Sequence, residues 1–156
     1  MIKIDIPGRE TLYIKYALFD MNGTLTVDGK ILESTKHKLI KLSKKIKIFI
    51  LTADTLGKAK DVFDKLPVEL TIVDKENGGA SKKNFIDKLG CHNCVAIGNG
   101  FNDTLMLESA KIGISVLMEE GICTRTIEKS DIFVKHIDDA LDLLLNPKRI
   151  IATLRK

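Results

Sequence analysis

Short apolar segments alternate with amphipathic helical segments along most of the chain, and this alternation restricts the fold more than any other feature. Helical periodicity covers residues 33–45, 55–66, 79–89, 102–109, 120–129 and 136–145, and apolar runs cover residues 47–51, 68–73, 94–97, 112–116 and 132–134. A strand and a helix that recur at intervals of about 20 to 25 residues are typical of units whose strands lie parallel in one sheet. We therefore predict a Rossmann-like α/β domain with three layers and a mostly parallel central sheet.

Smaller elements are predicted before residue 33 and after residue 145. Apolar and polar residues alternate over residues 2–6, and a Pro-Gly turn then leads to a second run at 12–16, which predicts a β-hairpin before a strand at 17–19. Residues 24–30, with Asp28 and Gly29 at their centre, predict a second small hairpin. Residues 148–155 predict a final short helix. Because the 156 residues show no linker or repeat, we expect a single domain over residues 1–156.

The composition fits a cytoplasmic protein with an aliphatic core. Hydrophobic residues make up 44% and charged residues 29% of the chain, and Trp is absent. The apolar runs are too short to span a bilayer, and the N-terminal segment lacks a signal-peptide core. We therefore expect a cytoplasmic protein without membrane contact.

The net charge of +4 comes mainly from lysines, of which a dense group lies in residues 36–47. Apolar residues interrupt this group at helical spacing, and no aromatic platform accompanies it. The lysines therefore indicate the solvated face of a helix, and we expect no nucleic-acid partner. A basic surface does suit phosphorylated, anionic substrates.

The three cysteines do not indicate a disulfide framework or a zinc site. Cys91 and Cys94 have the spacing of half a zinc site, but no second pair of ligands completes it, and Cys123 is separate. We interpret the segment around Cys91 as an ordinary loop.

Polar residues are concentrated where the predicted strands end. Asp20 ends the first strand of the sheet, Thr52 and Asp54 follow the next, Asp74 follows the third, and GNGFND at 98–103 follows the fourth. In parallel sheets, ligands bind at the carboxyl ends of the strands. The sequence therefore predicts an active site at this edge.

Four short motifs, taken together, resemble those of the haloacid dehalogenase-like phosphotransfer superfamily. They are DMNGT at 20–24, LTAD at 51–54, a lysine in SKKNF at 81–85, and GNGFND at 98–103, in the order of that superfamily. The resemblance covers about residues 12–145 and implies a haloacid dehalogenase-like core without a separate cap domain. DMNGTLT and GNGFNDTLML are most similar to the phosphorylation domains of P-type ATPases and their small soluble relatives. The short segment between Asp20 and Thr52 cannot contain the nucleotide-binding insertion of the pumps, which excludes ion pumping.

This resemblance implies catalytic and phosphate-binding roles for individual residues. Asp20 would attack phosphorus and form an aspartyl phosphate. Phosphate oxygens would be bound by Thr52, by Ala53 and by backbone N–H groups of residues 22–24, including Gly23 and Thr24. Lys82 would neutralise charge on the phosphate, with Lys83 as the alternative.

The resemblance also implies a magnesium site. Mg²⁺ would be held by Asp20, the carbonyl oxygen of Asn22, Asn99 and Asp103. Asn102 and Asp103 could equally cap the helix that follows them. Supporting positions would be Gly98, Gly100, Asn102 and Asp54.

Two asparagines stand where the superfamily pattern has acids. Asn22 occupies the position of the general acid and base, a role that an amide cannot fill, and loss of such a group typically costs about 10²- to 10⁴-fold in rate. Asn99 replaces a second acid, which should weaken metal binding. The sequence therefore leaves two hypotheses open: a slow, Mg²⁺-dependent phosphohydrolase or phosphotransferase, or a catalytically degenerate phosphate-binding or regulatory protein.

The same resemblance implies partners. A site without a cap is open, so we expect specificity to come from a partner subunit, as in a homo-oligomer, or from a macromolecular substrate. The expected partner is a phosphorylated small molecule or a phosphoprotein.

Overall fold

The computed structural model describes residues 1–53 and 58–156 and contains two sheets. An antiparallel hairpin is formed by β1 (Ile2–Ile4) and β2 (Leu12–Ile14). The central sheet contains β3 (Tyr16–Asp20), β4 (Lys47–Thr52), β5 (Glu69–Ile72), β6 (Cys94–Gly98), β7 (Ile112–Val116) and β8 (Ile132–Val134). Its strand order is β5-β4-β3-β6-β7-β8, and every neighbouring pair is parallel. The predicted α/β class with a mostly parallel sheet is confirmed.

Helices cover both faces of the central sheet. They are α1 (Glu33–Ser43), α2 (Lys58–Phe63), α3 (Gly78–Leu89), α4 (Thr104–Ser109), α5 (Thr124–Glu128), α6 (Ile137–Leu145) and α7 (Lys148–Leu154). The N-terminal hairpin, α1, α2, α6 and α7 share one apolar core with the sheet, and α3 and α4 form the core on the opposite face. In the described part of the chain, no helix is both long and apolar enough to cross a membrane.

The register of the central strands positions the polar strand ends next to one another. Asp20 of β3 pairs with Leu51 of β4, and Phe19 pairs with Ile97 of β6. The carboxyl ends of these three strands therefore coincide, with Asp20 between Thr52 and Gly98. Both neighbours of β3 are themselves central strands, so Asp20 lies in the middle of the sheet edge.

The segment after β7 differs from its prediction. The expected helix over residues 120–129 begins only at Thr124, and residues 117–123 form a loop. Gly121 has a φ of +85°, a conformation that ends regular helix, and the Cys123 N–H donates to the Asn99 carbonyl oxygen at 2.9 Å. A tertiary hydrogen bond and one left-handed glycine therefore keep this segment out of the helix.

Two other predictions are met only in part. Residues 24–30 form a tight turn at Asp28 and Gly29, which have φ values of +51° and +74°, but only single bridges flank it instead of strands. The first three residues of the helix expected over 55–66 lie outside the described residues, and its described part ends at Phe63.

We expect Gly113 to be required for packing of α4 against β7. A β-carbon at Gly113 would lie 2.6 Å from the Leu107 carbonyl oxygen, so Gly113→Ala must push the helix from the sheet. The expected loss in the free energy of unfolding is about 1 to 3 kcal/mol, measured by urea denaturation. Gly78→Ala is the matched control, because its β-carbon would meet nothing closer than 3.7 Å. Equal stability of Gly113→Ala and the native protein would contradict this packing argument.

Candidate active site

A buried lysine joins two carboxylates at the carboxyl edge of the sheet. Lys82 Nζ lies 2.5 Å from Asp20 Oδ1 and 2.6 Å from Asp103 Oδ1, and the Lys82 side chain is 1% exposed. Lys82 and Ile86 are the buried residues of α3, so the lysine occupies a position on the inward face of this helix where an apolar residue is usual. The structure thus brings together three residues that are far apart in the sequence.

The neighbouring lysine has a different environment. Lys83 lies on the outer surface of α3, where its Nζ pairs with Asp87 at 2.6 Å. Lys82 is therefore the lysine in contact with Asp20, and Lys83 belongs to an ordinary surface pair.

Asp103 is held rigidly by several donors. It is fully buried, and its Oδ2 accepts hydrogen bonds from the backbone N–H groups of Asn99 and Gly100, each at 3.0 Å. A β-carbon at Gly98 would lie 2.5 Å from Asp103 Cγ, so only glycine fits beside this carboxylate. Asp103 therefore orders the turn after β6 and, through Oδ1, also positions Lys82.

The charges of this cluster are not balanced. Burial, and then repulsion from the Asp103 carboxylate, raise the pKa of Asp20 to about 7 against the opposing effects of the Lys82 ammonium and the Thr24 hydroxyl. Burial disfavours the charged form of Lys82, but the two carboxylates together outweigh it and raise the pKa of Lys82. Two acids share one cation, so a further positive charge near Asp20 would stabilise its carboxylate.

The turn after Asp20 brings a hydroxyl to the site instead of free backbone groups. The N–H of Gly23 donates to the Thr26 carbonyl oxygen at 2.8 Å, and the N–H of Thr24 donates to Met21 at 3.3 Å. Both N–H groups are thus bonded within the turn, and their predicted contact with phosphate stays a prediction. Thr24 Oγ1 instead lies 3.3 Å from Asp20 Oδ2 and 3.1 Å from Asn99 Oδ1.

The other polar residues at the strand ends differ in their surroundings. Thr52 is buried at the end of β4 with Ala53 after it, and its carbonyl oxygen accepts a hydrogen bond from Val73 N at 2.9 Å. Asp54 lies outside the described residues. Asp74 has a structural part, since its Oδ1 accepts from the N–H groups of Glu76 and Asn77 and shapes the turn into α3.

Two further predicted residues lie beside the cluster rather than in it. Asn102 is exposed, and its carbonyl oxygen would be 3.3 Å from a β-carbon on Gly79, so it packs against the start of α3. Asn22 is exposed in the turn, and its Oδ1 lies 3.5 Å from Thr26 Oγ1.

One carboxylate near the site was missed from the sequence. Glu120 lies in the loop after β7, and its Oε1 accepts a hydrogen bond from the Asp28 N–H at 3.2 Å. A β-carbon on Gly23 would lie 2.5 Å from Asn99 Nδ2 and 3.0 Å from Glu120 Oε2, so these two side chains converge on the open face of Gly23. Periodicity predicts a helix over 120–129 that includes Glu120, whereas Gly121, in the segment that follows β7, is a signal for a loop.

The oxygen atoms around Asp20 fit a hydrated divalent cation. The Asp20 carboxylate and the Asn99 amide oxygen converge on one Thr24 hydroxyl, whose single proton can satisfy only one of them at a time. Over residues 1–53 and 58–156, no three His, Cys, Asp or Glu side chains are grouped to hold a metal. Mg²⁺ retains several water ligands and commonly uses only one or two carboxylates with substrate phosphate, so this donor set fits it.

Sequence comparison connects the chain with two proteins of Methanocaldococcus jannaschii. The uncharacterized protein MJ0073 is 47% identical over 90 residues, which cover 97% of that protein and 53% of this chain. The uncharacterized protein MJ0072 is 50% identical over 38 residues, which cover 86% of that protein and 24% of this chain. No protein-family model matches the chain.

Solved structures share the architecture over nearly the whole chain. The 3-deoxy-D-manno-octulosonate 8-phosphate phosphatase of Moraxella catarrhalis, in complex with magnesium, phosphate and the sugar acid, has a TM-score of 0.71 at 22% identity, covering 91% of this chain and 94% of that one. The cobalt-bound enzyme of Haemophilus influenzae has a TM-score of 0.73 at 13% identity, covering 92% and 94%. These comparisons do not confirm the similarity to P-type ATPases. This chain therefore has the haloacid dehalogenase-like fold, and it belongs to the same family as MJ0073 of Methanocaldococcus jannaschii.

Proposed function

We propose that this protein is a slow, Mg²⁺-dependent phosphohydrolase or phosphotransferase that forms an aspartyl phosphate at Asp20. The observation that carries the proposal is the buried contact of Lys82 with both Asp20 and Asp103 at the carboxyl edge of the sheet. A lysine and two carboxylates are costly to bury, and such clusters are characteristic of functional sites.

The proposed first step is attack by the Asp20 carboxylate on phosphorus. A bond forms between a carboxylate oxygen and phosphorus, and the bond from phosphorus to the leaving oxygen breaks. In the second step, water attacks phosphorus and releases Asp20 and phosphate; an acceptor hydroxyl in place of water would give phosphotransfer. Lys82 Nζ, at 2.5 Å from Asp20, can stabilise the negative charge of the phosphoryl oxygens during both steps.

The other proposed contacts follow from the positions around Asp20. Thr52 and Ala53 on the adjacent strand end, and the Asn22 N–H, would bind phosphate oxygens. Mg²⁺ would be held by Asp20, the Asn22 carbonyl oxygen, Asn99 and Asp103, of which Asp103 lies deepest in the site. The ion would neutralise charge on the phosphate. Neighbouring structures with bound magnesium or cobalt support this cofactor.

The leaving group has no acid to protonate it at the usual position. Because an amide does not titrate near neutral pH, Asn22 cannot protonate the leaving group or activate water. We therefore expect substrates whose leaving groups depart without protonation, such as acyl phosphates, and a phosphorylated enzyme that persists.

A phosphorylated small molecule is the substrate class that we favour. Residues 21–52, all of which the structure describes, form short turns, α1 and β4, so no folded cap covers the site from this segment. A cavity of about 550 Å³ lies beside it, between the start of α3 and residues 101–108, and Phe101, Leu105 and Arg125 line it. A phosphoprotein or a second copy of the chain would also reach so open a site.

The alternative function is phosphate binding without turnover, and Asn22 and Asn99 are the observations that favour it. In that case the protein would act as a regulatory or interaction partner on an enzyme fold. Detection of the covalent intermediate decides between the two functions.

We expect Asp20 to become phosphorylated when the purified protein is incubated with Mg²⁺ and acetyl phosphate. Mass spectrometry should locate a hydroxylamine-sensitive phosphoryl group on Asp20, and the signal should be absent in Asp20→Asn. Failure to label the native protein with acetyl phosphate or nitrophenyl phosphate would overturn the catalytic proposal, and saturable phosphate binding would then support the alternative.

Asn22→Asp should restore the missing acid and base. We expect steady-state hydrolysis of nitrophenyl phosphate to rise, by as much as about 10²- to 10⁴-fold, and the phosphorylated form to accumulate less. Asn22→Ser is the control, because serine also lacks a titratable group near neutral pH. An equal rate in Asn22→Asp and Asn22→Ser would show that position 22 does not limit the reaction.

Lys82→Met should abolish phosphorylation and destabilise the fold. Removal of the lysine leaves two buried carboxylates without their cation, which typically costs about 3 to 5 kcal/mol in the free energy of unfolding. Lys83→Met removes only an exposed pair and should cost no more than about 1 kcal/mol. Urea denaturation measures both, and labelling of a folded Lys82→Met protein at the native rate would remove Lys82 from the proposed mechanism.

A further inference from the structure

The residues proposed above to hold the cation carry little negative charge that is available to it. Among the proposed ligands, all of which lie in residues 1–53 and 58–156, Asp20 keeps one carboxylate oxygen that faces the Thr24 hydroxyl and not Lys82. Both oxygens of Asp103 are bonded, one to Lys82 and one to two backbone N–H groups. Asn99 contributes an uncharged amide. The number of negative charges is a main determinant of divalent cation affinity, so such a site alone would bind weakly.

The loop after β7 brings another carboxylate to this place. Glu120 Oε2 lies 3.0 Å from the position that a Gly23 β-carbon would occupy, and Asn99 Nδ2 lies 2.5 Å from the same position. Glu120 thus adjoins the amide that stands where the superfamily pattern has an acid.

Three hydrogen bonds hold Glu120 and its loop in this position. Asn99 Nδ2 donates to the Gly121 carbonyl oxygen at 3.1 Å, and the Cys123 N–H donates to the Asn99 carbonyl oxygen at 2.9 Å. The Asp28 N–H donates to Glu120 Oε1 at 3.2 Å. The loop is therefore fastened to Asn99 itself, and the second oxygen of Glu120 remains turned toward Gly23.

No lysine, arginine or histidine among residues 1–53 and 58–156 forms an ion pair with Glu120, whereas Asp20 and Asp103 both pair with Lys82. Glu120 is held by a hydrogen bond from the backbone and lies next to a metal site with few negative charges. Because no cation of the described residues neutralises it, its charge adds to the negative potential at that site.

We propose that Glu120 supplies the negative charge that Asn99 lacks, by accepting hydrogen bonds from water ligands of the divalent cation. This inference rests on the proposed function for the cation itself, and it assigns Glu120 as a positioning residue that does not touch the reacting phosphoryl group. Carboxylates in this role typically change metal affinity by about 10- to 100-fold.

The test is the affinity for Mn²⁺ alone, measured by titration calorimetry and by the paramagnetic resonance signal of free Mn²⁺, without substrate. Glu120→Gln should weaken binding by about 10- to 100-fold. The glutamine can still accept the hydrogen bond from Asp28, so this variant removes charge and leaves the loop in place. Glu119→Gln is the matched control, because it removes one charge from the exposed neighbouring residue.

A double-mutant cycle with Asn99→Asp makes the test specific. Asn99→Asp should tighten Mn²⁺ binding, and Glu120→Gln should then cost less than it does in the native background, because position 99 already carries the charge. Equal costs in the two backgrounds would contradict the proposed substitution of one carboxylate for the other.

The outcomes separate this inference from the proposed function. Native-like Mn²⁺ affinity in Glu120→Gln, with labelling of Asp20 intact, would overturn the role of Glu120 and leave the phosphotransfer proposal standing. Mn²⁺ binding that is weakened in Glu120→Gln but not in Glu119→Gln would support the proposed role of Glu120. If Asp20 of the native protein were then not labelled, the catalytic proposal alone would be overturned. Absence of Mn²⁺ binding to both the native protein and Asn99→Asp would overturn this inference.

Discussion

The contact of Lys82 with Asp20 and Asp103 is the interaction on which the site depends. Its ammonium group is almost fully buried and lies within 2.6 Å of an oxygen of each carboxylate. Burial of any one of these charges alone would be strongly unfavourable, whereas the three together compensate one another in part. The same contact joins α3, the end of β3 and the turn after β6, so it fixes the relative positions of three segments.

The site that results has a distinctive distribution of charge. The resemblance predicts acids at the positions of Asn22 and Asn99, which are both uncharged, and Asp103 is bonded to Lys82 and to backbone N–H groups. Asp20 is left with its Oδ2 directed at Thr24, and its raised pKa reflects burial and the nearby Asp103 charge. Glu120, on a loop attached to Asn99, returns one carboxylate to this region. A chemistry of phosphate and a weakly held cation is consistent with this arrangement.

Much of the fold could be predicted because each strand and helix has a clear local pattern. The five apolar runs from residue 47 onward and the strand ending at Asp20 all became strands of one parallel sheet. Boundaries failed where long-range bonds decide the backbone, as in residues 117–123, where Gly121 and the bond from Cys123 to Asn99 prevent the helix. The hydrogen bonds of Gly23 and Thr24 N–H within the turn after β3 likewise depend on the folded loop and could not be read from the local pattern.

The sequence by itself determined the layers of the fold and the sheet edge that carries the polar strand ends, because these follow from periodicity. Its motifs, through the family resemblance, also gave the candidates Asp20, Thr52 and Asp103, and a lysine at position 82 or 83. Only the tertiary structure decided that Lys82 and not Lys83 contacts Asp20, that Asp103 faces inward, and that Glu120 lies beside Asn99. The physical reason is that these pairings join residues from different elements. Their geometry depends on how helices and loops pack onto the sheet, and local sequence does not specify that packing.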